Sequence, residues 1–248
     1  MQHPRRRRNS GPVPKFTDYH IWKAFMTFDD KEPLGRKKLS ICLGIGEGST
    51  RTILDMLCER GYVETGPRGT VLTEKGIMTR DSTYMETAPL PNTSITIGLS
   101  DYAAIVPRMA KRVQYGCEER DVAIMAGALG ATTLVCSDGD LKFPGSDFPV
   151  DLKLKDSLFE SFDVKEGDAI VIGTAKTQER AERGAIAAAL ALMGGMPISR
   201  DLKDIMTGAS AADEIISLAF AVHDLVGGLP VCAKSRDNLG IRIEDGAV

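Results

Sequence analysis

The chain has 248 residues, of which 43% are hydrophobic and 26% are charged, and this composition excludes fibrous and disordered proteins. The length accommodates one large domain or two ordinary ones. No apolar run approaches the roughly 18–20 residues of a membrane helix, and no apolar segment of a secretory signal follows the basic N-terminus. We therefore expect a cytoplasmic protein without a membrane partner.

The formal net charge of −3 is unevenly distributed along the chain. Residues 1–85 carry 15 Lys and Arg against 10 Asp and Glu, a net of +5, whereas residues 86–248 carry a net of −8. Opposite signs in two halves favour a nucleic-acid-binding module joined to a second domain. Because Arg5 to Arg8 supply most of the positive excess, the residue pattern has to carry this interpretation.

The five cysteines and three histidines are scattered and show no metal-ligand or disulfide spacing. Such cysteines are typical of buried thiols in a reducing compartment. We therefore expect neither a metal site nor a cofactor. His223 is interpreted as a packed histidine and not as a catalytic base, because no nucleophile pattern accompanies it.

The first elements in chain order are a tail and three helices. Residues 1–15 contain four arginines and three prolines, which predicts a disordered basic arm that either tracks phosphates or has no defined role. An apolar stripe predicts a helix that begins after Thr17 or Asp18. The pattern then predicts a helix from Arg36 to Leu43, a glycine-rich turn, and a third helix from Ser49 to about Arg60.

Two short strands at 62–65 and 70–73 follow, around a Gly-Pro-Arg-Gly turn that is typical of a hairpin. A further helix is predicted from Glu74. Residues 87–94 combine two prolines with polar residues and are interpreted as a linker. The chain thus divides into the arm, a first domain at 16–86 and a second domain at 95–248.

The second domain alternates between predicted strands and helices. Strands are predicted at 95–99, 122–125, 132–136, 141–143, 169–173, 229–233 and 240–243. Helices are predicted at about 101–115, 156–162, 177–193 and 213–226. We therefore assign the chain to the α+β class, with a mixed α/β second domain behind the first.

The first domain has the element order of a winged helix-turn-helix: helix, helix, turn, helix, two-stranded wing and trailing helix. The second helix of that motif lies across the phosphate backbone, so its N-terminus is expected to be cationic. Arg36, Lys37 and Lys38 stand at this position. The pattern therefore predicts double-stranded DNA as the partner.

The exposed face of the third helix is expected to meet the DNA bases and carries Ser49, Arg51 and Thr52. Arg51 is the best candidate for a base contact, because a guanidinium bonds a guanine edge with two hydrogen bonds. Arg68 at the wing tip would reach a flanking phosphate or the minor groove. A homodimer is expected because paired half-sites match operator symmetry.

The stretch from Leu39 to Gly76 resembles the winged-helix domains of bacterial and archaeal repressors. The resemblance is carried by Ser49-Thr50-Arg51, by Glu59 to Val63 and by Leu72 to Gly76. The chain departs from the family at Glu47, where small polar residues are usual. This carboxylate would face the DNA unfavourably.

The whole arrangement resembles a family of archaeal predicted transcriptional regulators whose second domain has no assigned function. The matching segments are Arg120-Asp121, Gly127 to Leu134 and Gly173 to Ala187. The segment from Leu218 to Gly246 also resembles an uncharacterised archaeal domain. The resemblance implies a regulator and names no ligand.

A regulator needs an input, so the second domain is expected to bind an effector, to dimerise, or both. A strand-to-helix junction at Thr174, Lys176 and Thr177 would offer backbone N–H groups and a helix dipole to a small anion, and an ordinary capped turn is the alternative. Arg120 and Asp121 form either an ion pair or a ligand clamp.

Two other functions stay open at this point. The second domain would be an enzyme for a small anionic metabolite if Asp121, Lys176 and His223 converged in one pocket. No nucleophile elbow, metal set or paired carboxylate supports this, so we predict no enzyme. The protein would be an assembly module if a protein partner covered the positive surface of the first domain.

Overall fold

The computed structural model describes residues 16–29, 32–91, 93–146 and 148–199. The chain forms two compact units that divide between Tyr84 and Met85. The predicted basic arm lies outside the described residues, as do His223 and the helix and strands predicted beyond residue 200.

The described part of the first unit contains four helices and one hairpin. In chain order these are α1 (Asp18–Thr27), α2 (Arg36–Leu43), α3 (Glu47–Glu59), β1 (Val63–Gly66), β2 (Gly69–Leu72) and α4 (Glu74–Ser82). The order agrees with the prediction, but α3 begins two residues before Ser49. Gly44 ends α2 in the left-handed region (φ 65°), so the turn between α2 and α3 is shorter than predicted.

The first unit is held together by a core of large side chains from all its helices but the last. The core includes Tyr19, Phe25, Leu39, Ile53 and Leu57. The Phe25 ring meets the Tyr62 ring edge-on with centroids 5.8 Å apart. Nε1 of Trp22 donates to the carbonyl oxygen of Thr83 at 2.9 Å, which ties α1 to the residue that follows α4.

The hairpin gains one residue of a third strand from the segment before α2. The backbone N of Leu34 donates to the carbonyl of Thr70 at 2.8 Å, and the N of Thr70 donates back at 3.0 Å. Gly69 permits this contact, because its φ is 135° and a Cβ there would lie 2.9 Å from the Leu34 oxygen. A single bridging residue has no strand periodicity, so the sequence does not predict it.

The described part of the second unit is an antiparallel sheet with helices on both faces. Its elements are β3 (Thr87–Leu90), β4 (Ser100–Val106), a 3-10 turn (Ala110–Arg112), α5 (Cys117–Met125), β5 (Gly130–Ser137), β6 (Asp140–Lys142), α6 (Leu152–Ser161), β7 (Ala169–Ala175) and α7 (Gln178–Leu192). The strands lie in the order β3-β4-β7-β5-β6, and each neighbouring pair is antiparallel.

The central strand β7 is buried along its whole length because helices cover it on both sides. On one face, Leu154 and Leu158 of α6 join Ile170 in a single apolar cluster. On the other face, α7 packs against β4 and β7, and α5 packs against α7 and β5. Gly173 allows the close approach of α7, because a Cβ there would lie 2.5 Å from the carbonyl oxygen of Ala181.

Three predictions at the start of the second unit are wrong. Residues 87–94 are not simply a linker, since β3 pairs with β4 at the sheet edge, where a strand tolerates Pro89. Residues 95–99 form no strand and 101–115 no helix. Asp101, predicted as a helix cap, lies buried in β4, and its carboxylate accepts from the Thr96 hydroxyl at 2.7 Å. Residues 100–106 form a short apolar run that suits either a helix or a strand, and pairing with β3 and β7 makes it a strand.

The strand predicted at 122–125 is also wrong, because these residues end helix α5. Ala123 faces α7, where a Cβ on Gly184 would lie 3.4 Å from its methyl group. Glu118 and Glu119 in the first turn favour a helix start, and this signal was present in the sequence.

The expectation of buried thiols holds for one of the four described cysteines. Cys136 is buried, Cys42 and Cys117 are half-buried, and Cys58 is exposed on α3. All four are free thiols.

Candidate nucleic-acid interface

The first turn of α2 presents three cations to solvent. Arg36, Lys37 and Lys38 are all exposed, whereas Leu39 behind them is buried in the core. Positive side chains at a helix N-terminus oppose the helix dipole, so they do not stabilise α2. The first turn of α2 is therefore an exposed cationic surface.

Helix α3 is divided into a buried face and an exposed face. Thr50, Ile53 and Leu57 are buried, while Arg51 and Thr52 are exposed and Ser49 is half-buried. The hydroxyl of Thr52 donates to the carbonyl of Gly48 at 3.2 Å, which is a bond within the helix. The exposed face therefore carries the Arg51 guanidinium and two hydroxyl groups beside the carboxylates of Glu47, Asp55 and Glu59.

Arg36 and Arg51 each form an exposed ion pair. Nη2 of Arg36 lies 3.5 Å from a carboxylate oxygen of Glu47, and Nε of Arg51 lies 3.7 Å from one of Asp55. The side chains are between 49% and 70% exposed. Solvent screens such pairs, so both guanidinium groups can exchange their carboxylate for another anion at little cost.

Glu47 connects the two helices at this surface. It pairs with Arg36 of α2, and on α3 it stands four residues before Arg51, so both arginines lie on the same side of the unit. We call the exposed residues Arg36, Lys37, Lys38, Arg51 and Thr52 the α2–α3 surface. The Glu47 carboxylate, which is expected from the sequence to face DNA unfavourably, thus has a cation beside it. Its negative charge also interacts favourably with the helix dipole at the N-terminus of α3.

Arg68 is exposed in the turn between β1 and β2. No carboxylate pairs with it in the described part of the chain. The bridge between Leu34 and Thr70 fixes the turn end of this hairpin to the segment that enters α2. Arg68 therefore extends from a hairpin that is anchored beside the α2–α3 surface.

The junction before α7 is less open than predicted. Thr174 is 2% exposed, and its hydroxyl accepts from the backbone N of Gly98 at 2.9 Å, so this group is occupied within the fold. Lys176 and Thr177 are exposed, and Thr177 caps α7 without a side-chain cap bond. The sheet is antiparallel, so the crevice that parallel strands form at their carboxyl ends does not arise here.

Arg120 and Asp121 form an ion pair with each other on α5. Nε and Nη2 of Arg120 donate to the same carboxylate oxygen at 3.2 and 3.0 Å. The two side chains are 40% and 38% exposed. The pair is therefore a half-exposed contact between adjacent residues.

The described residues contain no group of three or more His, Cys, Asp or Glu side chains placed to hold a metal ion. His20 is buried, and its Nδ1 accepts from the backbone N of Thr17 at 3.1 Å, which completes the N-terminal cap of α1. Among the described helices, none is long and apolar enough to cross a membrane.

Comparison with known proteins gives matches in both units. Residues 24–78 match the family described as "PH0730-like, N-terminal domain", and residues 97–192 match "Domain of unknown function (DUF4443)". The hypothetical protein PH0730 from Pyrococcus horikoshii OT3 is a solved structure that is 30% identical, with a TM-score of 0.57. The match covers 73% of this chain and 94% of that chain. No curated protein matches.

The chain belongs to the PH0730-like family. The two matched segments of this family lie one in each unit, so both units are features that the chain shares with known relatives. The α2–α3 surface and Arg68 fall within the N-terminal match, and the Arg120–Asp121 pair falls within the second. The resemblance to an archaeal protein with an unassigned second domain is confirmed at this level.

The sequence does not predict the contacts of two residues, Leu34 and Glu47, in this PH0730-like chain. Leu34 was not expected to join the hairpin, and Glu47 was expected to oppose DNA without a partner. Spacing on α3 does place Glu47 four residues before Arg51, but nothing in the sequence shows that Arg36 reaches it from another helix.

Proposed function

We propose that the protein is a DNA-binding transcriptional regulator whose first unit is a winged helix-turn-helix and whose second unit receives the signal. The observation that carries this proposal is the exposed cationic first turn of α2. Arg36, Lys37 and Lys38 stand where the helix dipole disfavours them, and a phosphate backbone compensates for that cost.

In this proposal α2 lies across the phosphates and α3 enters the major groove. Ser49, Arg51 and Thr52 face the base edges, and Arg51 exchanges the carboxylate of Asp55 for a guanine edge. Because that ion pair is exposed and weak, the exchange costs little. Arg68 contacts a flanking phosphate or the minor groove.

The proposed regulator binds double-stranded DNA as a homodimer, since two copies of α3 would read two half-sites. Ile41 supports a protein contact near this region, because it lies on α2 and its side chain is 72% exposed. An assembly module is therefore the second candidate function. Substituting Ile41→Ser separates the two: an assembly module should lose its protein partner and show no DNA binding, whereas a regulator should keep salt-dependent binding to DNA, because its phosphate contacts come from other side chains.

Titration of the full chain against fluorescent genomic fragments, including its own upstream region, tests the proposal. We expect saturable binding that survives random competitor DNA and weakens steeply between two salt concentrations. A folded sample that binds no fragment at low salt contradicts the proposal. Binding to every fragment with equal affinity would show an electrostatic contact without sequence recognition.

A further inference from the structure

The second unit contains an open cavity of about 420 Å³, within the size range of small-molecule sites. Three segments line it: the start of α5, the strand β5 and the loop that follows β6. The lining side chains that matter here are Tyr115, Cys117, Arg120, Thr133, Phe143 and Phe148. None of them belongs to the α2–α3 surface.

One wall of the cavity carries polar groups that lack partners. Thr133 is 3% exposed, and its hydroxyl has no hydrogen-bond partner among the described residues. A buried hydroxyl without a partner is costly, and such groups usually mark a missing water or ligand. A ligand oxygen that reached this hydroxyl would remove the cost.

The same wall is formed by the N-terminus of α5. Its N-cap is Gly116, which has no side chain to bond the backbone N–H groups of the first turn, and the Glu119 carboxylate accepts from one of them, its own backbone N–H. A Cβ at Gly116 would lie 3.5 Å from the Thr133 hydroxyl, so this hydroxyl and the helix terminus are neighbours. Two independent features, a buried unpaired hydroxyl and an open helix terminus, therefore meet at one place.

Arg120 is the only charged side chain among the described residues that line the cavity. Nε and Nη2 donate to a single oxygen of Asp121, and Nη1 has no partner in the described part of the chain. An anion therefore finds a guanidinium with donors to spare, whereas Glu118 and Glu119 in the first turn already oppose the positive end of the α5 dipole.

The opposite wall is aromatic. The rings of Phe143 and Phe148 lie with centroids 6.1 Å apart, and the Phe148 side chain is 70% exposed. Tyr115 packs its ring on Gly145, where a Cβ would lie 2.8 Å from a ring carbon. These side chains offer aromatic surface that an apolar ring can cover.

We propose that this cavity binds a small aromatic carboxylate, with the carboxylate at Arg120 and Thr133 and the ring against the side chains of Phe143 and Phe148. As the effector site of a regulator, the cavity rests on the proposed function. As a binding site, it requires only the geometry of the second unit. Aromatic anions fit better than simple inorganic anions, because the cavity pairs one cation with several aromatic side chains.

Calorimetric titration of the full chain with 2-naphthoate, in the absence of DNA, tests the site. We expect saturable binding at one site per chain, with 2-naphthamide binding about tenfold more weakly because it lacks the charge. The inference is overturned if 2-naphthoate shows no saturable heat, or if the amide binds equally well.

Three substitutions locate the binding site within the chain. We expect Arg120→Gln to weaken 2-naphthoate about tenfold and the amide far less, and Thr133→Val to weaken 2-naphthoate by roughly threefold. Arg112→Gln removes an exposed arginine outside the cavity and should leave binding unchanged. Wild-type affinity in the Arg120→Gln variant contradicts the assignment.

Thermal unfolding of each variant by circular dichroism separates lost binding from lost structure. If Thr133→Val does not fold, Phe148→Ala takes its place, since that side chain is mostly exposed, and it should weaken both 2-naphthoate and the amide. Intact naphthoate binding without any DNA binding would contradict the proposed function alone. DNA binding without naphthoate binding would contradict the cavity alone.

Discussion

The two units differ in where the polar groups of their candidate sites lie. In the first unit the cations stand on the outside, and the ion pairs of Arg36 and Arg51 are exposed and easily exchanged. In the second unit a buried hydroxyl of Thr133 and the guanidinium of Arg120 border a cavity. An outer cationic surface suits a large polyanion, whereas a cavity of this size suits a small molecule.

The units also differ in what tolerates change. The first unit packs its helices mainly through side chains, although a Cβ on Gly76 would overlap the carbonyl oxygen of Tyr62, and its exposed faces leave room for substitution. The second unit places backbone against backbone where α7 crosses the sheet, since a Cβ on Gly173 would lie 2.5 Å from both Ala181 O and Ala185 N. We therefore expect large stability effects wherever backbone lies against backbone, and the largest effects on DNA binding at the exposed residues of the first unit.

The largest expected effect is that of Gly173→Ala. The added methyl group meets backbone atoms of α7 that cannot move without lifting the helix, which should lower the free energy of unfolding by about 3 kcal/mol. Gly130→Ala is the matched control, because its Cβ would meet only a flexible part of Arg120 at 3.8 Å. Hydrogen exchange in β4, β5 and β7 measures the loss, and unchanged protection would contradict close helix–sheet contact.

Arg51→Ala tests the expected role of the first unit in specific DNA binding. We expect a loss of about 2 kcal/mol in binding to a specific fragment, because a base contact is removed while the fold keeps its core. Arg112→Ala, an exposed arginine of the second unit, should bind as the wild type does. Fluorescence anisotropy measures both. An equal loss on random DNA would show that Arg51 positions the protein without reading a base.

Glu47→Gln should change DNA binding in the opposite direction. Removing the carboxylate frees Arg36 and takes a negative charge from the α2–α3 surface, so affinity for random DNA should rise by roughly threefold. Glu64→Gln on β1 is the control for a general change of net charge. If both variants raise the affinity for random DNA equally, the effect comes from the net charge and not from the position of Glu47.

The smallest expected effect concerns pH and the second unit. Burial raises the pKa of Glu119 above its ordinary value, with a further contribution from the charge of Glu118. The folded protein therefore holds this proton more tightly than the unfolded chain. The stability that this gives is complete below the ordinary carboxyl pKa and is lost as pH rises through the raised pKa.

Glu119→Gln removes this titration. We expect the variant to unfold at a higher temperature than the wild type at neutral pH, with the difference vanishing in acid. Thermal unfolding at several pH values measures it, and Glu160→Gln, an exposed carboxylate on α6, is the control. A variant that is less stable than the wild type at neutral pH would show that the Glu119 carboxylate has a stabilising partner.

The first unit could be predicted from the sequence because its signals are local. Apolar residues recur at helical spacing, Gly61 ends α3 with positive φ, and the hairpin turn has its own residues. The second unit could be predicted only in part. The predictions at 132–136, 141–143, 156–162, 169–173 and 177–193 overlap β5, β6, α6, β7 and α7, whereas the runs 100–106 and 117–125 are short enough to suit either a strand or a helix. Pairing between distant segments then decides the outcome.

The two candidate sites also differ in how far they could be predicted from the sequence. Arg36 and Arg51 could be placed on an exposed surface, since each lies on an amphipathic helix next to a predicted turn. The cavity could not be predicted, because Thr133, Arg120 and Phe148 come from three separate segments and no spacing connects them. The hydrogen bond that the Thr174 hydroxyl accepts could not be predicted either, because its partner, Gly98, lies 76 residues away.

The central claim is that the α2–α3 surface binds the DNA backbone, and the salt dependence of binding tests it most directly. The dissociation constant of the full chain is measured at several salt concentrations for the wild type, for Lys37→Gln/Lys38→Gln, and for the control Lys111→Gln/Lys153→Gln. If the surface contacts phosphates, the slope of log affinity against log salt falls by about two in the first variant and stays unchanged in the control. Equal slopes in all three proteins would contradict the claim.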